Sequence, residues 1–135
     1  MNSIIVPAKL DELDKVLDFI EQELDVFGCA IKIKFQLAIA VEEIFVNIAK
    51  YAYLPGEGSA EIVCSYSDEA KAVSICFMDT GVPYNPLAKE DPDVTLSTEE
   101  RTIGGLGIYM VKKSMDEVIY DYKDGKNILT IRKKL

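Results

Sequence analysis

Between Lys9 and Phe27 the apolar residues Leu10, Leu13, Leu17, Ile20, Leu24 and Phe27 recur at intervals of 3, 4, 3, 4 and 3. That is the spacing of one stripe along an α-helix. A helix with a single apolar stripe must bury it against another element. The other faces carry Asp11, Glu12, Asp14, Asp18, Glu21, Glu23 and Asp25 against Lys15. Such an acidic surface reads as a solvated face, with docking to a basic partner as the alternative. Gly28 ends this helix.

A second helix is predicted from Lys32 to Tyr53, with Leu37, Val41, Ile44 and Ile48 as its core stripe, widened by Ala38, Phe45, Ala49 and Ala52. Pro55-Gly56-Glu57-Gly58 breaks it. Strands are predicted at 2–6, 60–66, 70–78, 117–122 and 127–132, with hairpin turns at Ser67-Asp68-Glu69 and Lys123-Asp124-Gly125-Lys126. Between them lies a long irregular segment from Thr80 to Ile103 that holds Pro83, Pro86 and Pro92, then a glycine-rich turn at 104–107 that opens a third helix through Met115. Irregular stretches of this length are uncommon in compact domains and often act as lids. Adjacent strand pairs flanked by helices predict an α+β, two-layer α/β sandwich: a mixed, mainly antiparallel sheet with helices on one face and the other face open as an interface. No repeat or linker divides residues 1–135, so one domain is expected.

Composition narrows the function classes. The 135 residues include 15 Lys plus Arg against 23 Asp plus Glu, a net charge of −8. That balance disfavours nonspecific binding to nucleic acid or to an anionic membrane. No apolar run approaches the ~20 residues of a membrane span, and Met1 to Ile5 lacks the basic start and long apolar region of a secretory leader. Cys29, Cys64 and Cys76 form no CxxC pair, and the chain contains no histidine. Reduced thiols in a cytoplasmic protein are expected rather than a zinc site. Without histidine, every mechanism that needs an imidazole base or phosphoacceptor in this chain is excluded.

Three places carry chemistry. On the second helix Glu43 and Asn47 lie one turn apart, beside the core stripe. A carboxylate and an amide so placed suit activation of a hydroxyl and donation of an oxygen to Mg²⁺, although amphipathic helices often carry such pairs on a solvated face. After an apolar strand comes Met78-Asp79-Thr80-Gly81-Val82-Pro83. Asp79 is either a turn residue that accepts backbone N–H groups or an acceptor for a purine amine, with Gly81 leaving room for the ring. The run Arg101-Thr102-Ile103-Gly104-Gly105-Leu106-Gly107 precedes a helix. It is either a lid hinge or a place where free N–H groups and the helix dipole meet phosphate. It has neither the Gly-Lys-Ser/Thr of a Walker loop nor the GxGxxG spacing of a dinucleotide fingerprint.

The order of these motifs resembles the GHKL ATP-binding superfamily: Glu-x-x-x-Asn on a helix, Asp-x-Gly-x-Pro after a strand, a lid, then Gly-x-Gly opening a helix. The segments AVEEIFVNIAKYAY and GGLGIYMVKKSMDEV are similar, more narrowly, to those of the anti-sigma-factor serine/threonine kinases. The resemblance implies a Bergerat-type, histidine-kinase-like ATPase fold over essentially the whole chain. It implies ATP and Mg²⁺ as ligands, with Glu43 as the catalytic carboxylate, Asn47 on the metal, Asp79 and Gly81 at adenine, and Gly104, Gly105 and Gly107 at the phosphates. Arg101 is the candidate lid cation, although it sits farther from Gly105 than in relatives. Two departures stand out: Tyr51 occupies a position where relatives often have histidine, and Gly125-Lys126 replaces a Gly-Thr whose threonine aids a water-mediated adenine contact. The lid is also acidic, with Glu90, Asp91, Asp93, Glu99 and Glu100 against Lys89 and Arg101.

Taken together, the resemblance implies a cytoplasmic ATP-dependent kinase that binds a sigma factor and phosphorylates an antagonist protein, as a homodimer. The alternative is a regulatory nucleotide-binding module of the same fold without transfer activity.

Overall fold

A computed structural model describes residues 1–53, 56–88 and 105–135; Arg101, Gly104 and most of the expected lid lie outside the described residues. The elements in chain order are β1 (Asn2–Pro7), a 3-10 turn (Leu10–Glu12), α1 (Leu13–Val26), α2 (Ile31–Asn47), a π-helical turn (Ile48–Ala52), β2 (Ser59–Ser67), β3 (Ala72–Asp79), a second 3-10 turn (Pro86–Ala88), α3 (Gly105–Ser114), β4 (Glu117–Lys123) and β5 (Lys126–Lys134).

The strands form one sheet in the order β1-β2-β3-β5-β4. Expected as mixed and mainly antiparallel, the sheet is antiparallel at all its pairings. β3 and β4 run the same way, but β5 lies between them and no parallel ladder forms. The tight β4–β5 hairpin explains this order. Asp124 and Gly125 have φ of 55° and 76°, the two positive values of a type I′ turn that matches strand twist.

Alternation along the strands sets one face of the sheet inward. Ala60, Ile62, Cys64, Val73, Ile75, Phe77, Leu129 and Ile131 are buried and join Val16, Ile20, Leu24, Leu37, Val41, Ile44, Phe45 and Val111 of the helices in one cluster. The helices thus cover one face, as a two-layer sandwich requires. On the other face Val63, Cys76, Met78 and Ile128 are half-buried, and Ile5 and Ile119 are 67% and 53% exposed.

Several local expectations shift. Leu10 falls in the 3-10 turn, 51% exposed, while Val16, outside the expected stripe, is fully buried. The turn changes the helical phase, so the stripe begins later. Gly28 (φ 70°) closes α1: its N–H donates to Asp25 and the Cys29 N–H to Leu24, at 3.1 Å each, the double bond of a Schellman cap. β3 starts at Ala72 rather than at Ala70, because Lys71 takes φ 52° in the turn. All three cysteines are free thiols. Burial pushes the Cys64 thiol up to about 12, and burial raises Cys76 and Cys29 as well. Among the described residues no group of three or more His, Cys, Asp or Glu is placed to hold a metal, and no helix is long and apolar enough to cross a membrane.

The core assignment has a direct test on α2. Phe45 is fully buried, whereas Phe35 is 66% exposed on the same helix. Phe45→Ala should cost about 3–5 kcal/mol of unfolding free energy. Phe35→Ala should stay within about 0.5 kcal/mol. Urea unfolding of both variants checks the contrast, and equal losses would contradict the described packing of α2.

Candidate functional site

α2 buries Leu37, Ala40, Val41, Ile44 and Phe45. This leaves Glu43 and Asn47 half-buried on its flank, one turn apart on the same side of the helix. The expected helix to Tyr53 does not continue as a regular α-helix: from Ile48 to Ala52 it widens into a π turn. Such turns release carbonyl groups from the helical ladder and frequently mark functional sites. Here the Ala52 carbonyl accepts the Val82 N–H at 2.9 Å. Tyr53 adds a second tie: its hydroxyl accepts the Thr80 N–H at 2.8 Å and donates to the Ser59 carbonyl at 2.6 Å. The end of the helix is therefore fastened to the chain leaving β3.

Asp79, the last residue of β3, is 7% exposed. Its Oδ1 accepts the Gly81 N–H at 2.9 Å and the Asn127 side-chain N–H at 3.0 Å. Both expected behaviours of an Asp-x-Gly turn are thus open to one carboxylate: Oδ1 organises the turn, while no described donor bonds Oδ2. Gly81 has no space for a side chain. A Cβ there would overlap the Ala52 carbonyl.

One turn before the end of α2, Glu43 meets the start of α3. A Cβ on Gly107 would overlap the Glu43 carboxylate, so the glycine is what lets the first turn of α3 lie against that acid. Gly105 opens the helix. The far end of α3 is closed by cations: Lys112 and Lys113 lie in its last turn, and Lys133 Nζ donates to the Ser114 carbonyl at 2.7 Å. Charge of that sign complements the helix dipole.

The expected residues therefore fall in two groups along one helix. Glu43 and Gly107 touch at one end; Asp79, Gly81 and Ala52 touch at the other, with Asn47 between. From Glu43 to Ala52 the helical rise is on the order of 12 Å, enough to separate a base-sized site from a phosphate-sized one. Tyr51 is 57% exposed. Lys126 is exposed too, and it is not the residue across from Asp79; the register pairs Asp79 with Asn127. Asn127, Tyr53 and the π turn were missed by reading motifs. Counting the strand register outward from the Asp124-Gly125 turn would have found Asn127.

A carboxylate and an amide on the flank of one helix, an acid at a strand end and a glycine-opened helix are thus set around one antiparallel sheet. The chain belongs to the family of the histidine kinase-like ATPase domain, which it matches over residues 6–133. It is 28% identical over 100 residues to the serine/threonine-protein kinase BtrW of Bordetella bronchiseptica, covering 74% of this chain and 70% of that one. It is 29% identical over 97 residues to the serine-protein kinase RsbW of Listeria monocytogenes, and 28% identical to RsbW of Listeria innocua. In each Listeria comparison 69% of this chain is covered but 61% of the relative, so the match spans less than two thirds of those kinases.

The close approach at Gly81 can be tested apart from any ligand. Gly81→Ala forces the chain away from Ala52 and breaks the bond from Val82, an overpacking that should cost about 1–3 kcal/mol. A lowered denaturant midpoint is expected, and an unchanged one would show that the turn has room to spare.

Proposed function

We propose that this chain is an ATP- and Mg²⁺-dependent protein serine/threonine kinase of the anti-sigma-factor type, working in the cytoplasm. It would bind a sigma factor and phosphorylate a serine or threonine on an antagonist protein. The observation that supports this most is the closeness of the Glu43 carboxylate to Gly107, in the first turn of α3. It sets a proton acceptor beside a helix N-terminus, where a transferring phosphoryl group would be stabilised. With no histidine in the sequence, transfer to an imidazole of its own is excluded.

The residues present fit the ligands. Asp79 Oδ2 is free of described donors and suits the exocyclic amine of adenine, with Gly81 giving close approach to the ring. Gly105 and Gly107 carry the N-terminal backbone of α3 toward the phosphates, and Gly104 and Arg101 would extend that contact from the lid. Asn47 offers an amide oxygen to Mg²⁺. Since the described residues form no acidic cage, the ion would arrive mostly ligated by phosphate and water, as Mg²⁺ commonly does. When bound it would neutralise charge on the triphosphate. Glu43 takes the proton of the acceptor hydroxyl as that oxygen bonds to the γ-phosphorus and the bond to the β,γ-bridging oxygen breaks, leaving ADP and a phosphoprotein.

The open face of the sheet supports a homodimer. Ile5, Val63, Met78, Ile128 and Ile119 put apolar area there, with Glu61 and Asp121 among them. A charge placed at Ile119 should convert a dimer to a monomer. Sedimentation of Ile119→Glu beside the unaltered protein checks this, and a monomer in both would exclude the dimer.

Glu43→Gln decides between enzyme and regulatory module. It should leave ATP affinity within about threefold, because binding rests on other groups, and lower transfer to the antagonist by ~10²–10⁴, the usual contribution of a positioned base. Asp79→Asn should instead weaken ATP by about ten- to a hundredfold through loss of a charge-assisted bond. A radiolabel transfer assay and a calorimetric titration on each variant separate the two effects. If the unaltered protein binds ATP and its partners yet transfers nothing, it is a binding module.

A further inference from the structure

Asn127 is 7% exposed at the start of β5, and its amide has no bonding capacity left over. Oδ1 accepts the Tyr120 hydroxyl of β4 and the Tyr84 N–H, the latter at 3.1 Å. Nδ2 donates to Asp79 Oδ1 and to the Val82 carbonyl, at 3.0 Å each. A primary amide has two donor hydrogens and two acceptor directions, and all are used. Turning the amide over would face its NH₂ toward the Tyr84 N–H and its oxygen toward the Asp79 carboxylate and the Val82 carbonyl. One orientation is therefore fixed.

The partners come from three separate pieces of chain: the end of β3, the segment 82–84 that leaves it, and β4. The tyrosine that holds Oδ1 stays a donor, since desolvation raises the Tyr120 phenol above its ordinary value and the nearby Asp79 charge adds to the rise. A carboxylate with one free oxygen would otherwise rotate and share its lone pairs between the turn and any ligand. With two N–H groups on Oδ1, that rotation is removed before a ligand arrives, and ordering cost on binding falls.

Building on the reading of Asp79 as the acceptor for adenine, we propose that Asn127 is the positioning residue for adenine specificity. It locks Asp79 so that Oδ2 points to the exocyclic amine, and through Val82 and Tyr84 it ties that oxygen to the path of the chain beyond β3. Base recognition then depends on a side chain two residues past the last hairpin turn, which makes no contact with the base itself.

The test uses a readout that a merely structural asparagine would not move: the preference for ATP over purine riboside triphosphate, which lacks the 6-amino group. Calorimetric titration of the full chain should show ATP favoured by roughly ten- to a hundredfold in the unaltered protein. Asn127→Ser is neutral and leaves the field at the triphosphate unaltered. It should reduce that preference by about tenfold while changing affinity for the amine-free nucleotide by less than about threefold. Tyr120→Phe removes one hydroxyl and should reduce the preference in the same direction by a smaller factor. If Asn127→Ser fails to fold by circular dichroism, the ratio in Tyr120→Phe decides. Equal weakening of both nucleotides, with the preference intact, would overturn the positioning role and leave Asp79 as the adenine acceptor. No preference in the unaltered protein would overturn the Asp79 reading itself, and this proposal with it.

Discussion

The inner face of the sheet has to be covered, and α2 shares that task with α1 and α3 while carrying Glu43 and Asn47 on its flank. Leu37, Val41, Ile44 and Phe45 are at most 2% exposed. Each such side chain contributes roughly 1.5–3 kcal/mol on burial. The ion pairs of the surface are weaker: those of Lys9 with Glu57 and Arg132 with Glu117 join side chains more than a third exposed, and pairs of that kind give about 0–1 kcal/mol. Apolar packing therefore sets the rotation of α2. Once that rotation is set, Glu43 and Asn47 have no freedom to face anywhere except the flank. Active-site geometry here follows from core packing.

The same dependence appears at the far end of the cleft. Asp79 is a buried acid, and a buried charge is costly unless its hydrogen bonds are met. Antiparallel register meets them by setting Asn127 opposite Asp79. A slip of one residue would turn every side chain of β5 to the other face. The hydrophobic alternation of Leu129 and Ile131 forbids that slip, because both would leave the core. Core packing thus protects a polar contact that contributes little apolar area of its own. The end of the helix completes the linkage, because the last-turn carbonyl of Ala52 has no partner within the helix and accepts the Val82 N–H.

The two ends of the cleft differ in chemical character, which suits a ligand that is different at its two ends. One end holds the Asp79 carboxylate beside a turn packed tightly on Ala52 at Gly81. The other offers a helix N-terminus beside a carboxylate. A protein with a net charge of −8 repels a polyanion at long range, so a phosphate-bearing ligand depends on local donors such as a helix N-terminus. The acidic character of α1, with an ion pair from Lys34 to Asp25 at its end, lies on the helical layer, away from the open face of the sheet.

Much of this was legible in the chain itself. The 3–4 periodicity of α1 and α2, the paired strand runs and the hairpin at Asp124-Gly125 specified two layers. Local signals suffice there because periodicity and turn conformation are properties of neighbouring residues. Glu43, Asn47, Asp79 and Gly81 stand out as candidates because their spacing survives as short motifs. Tertiary structure decided what depends on partners distant in sequence. It moved the core stripe from Leu10 to Val16, ended α2 in a π turn whose last carbonyl meets Val82, and brought Gly107 against Glu43. It also chose Asn127 over Lys126 as the residue facing Asp79. That choice comes from strand register, which is settled by burial across the whole sheet and leaves no mark in the residues beside it.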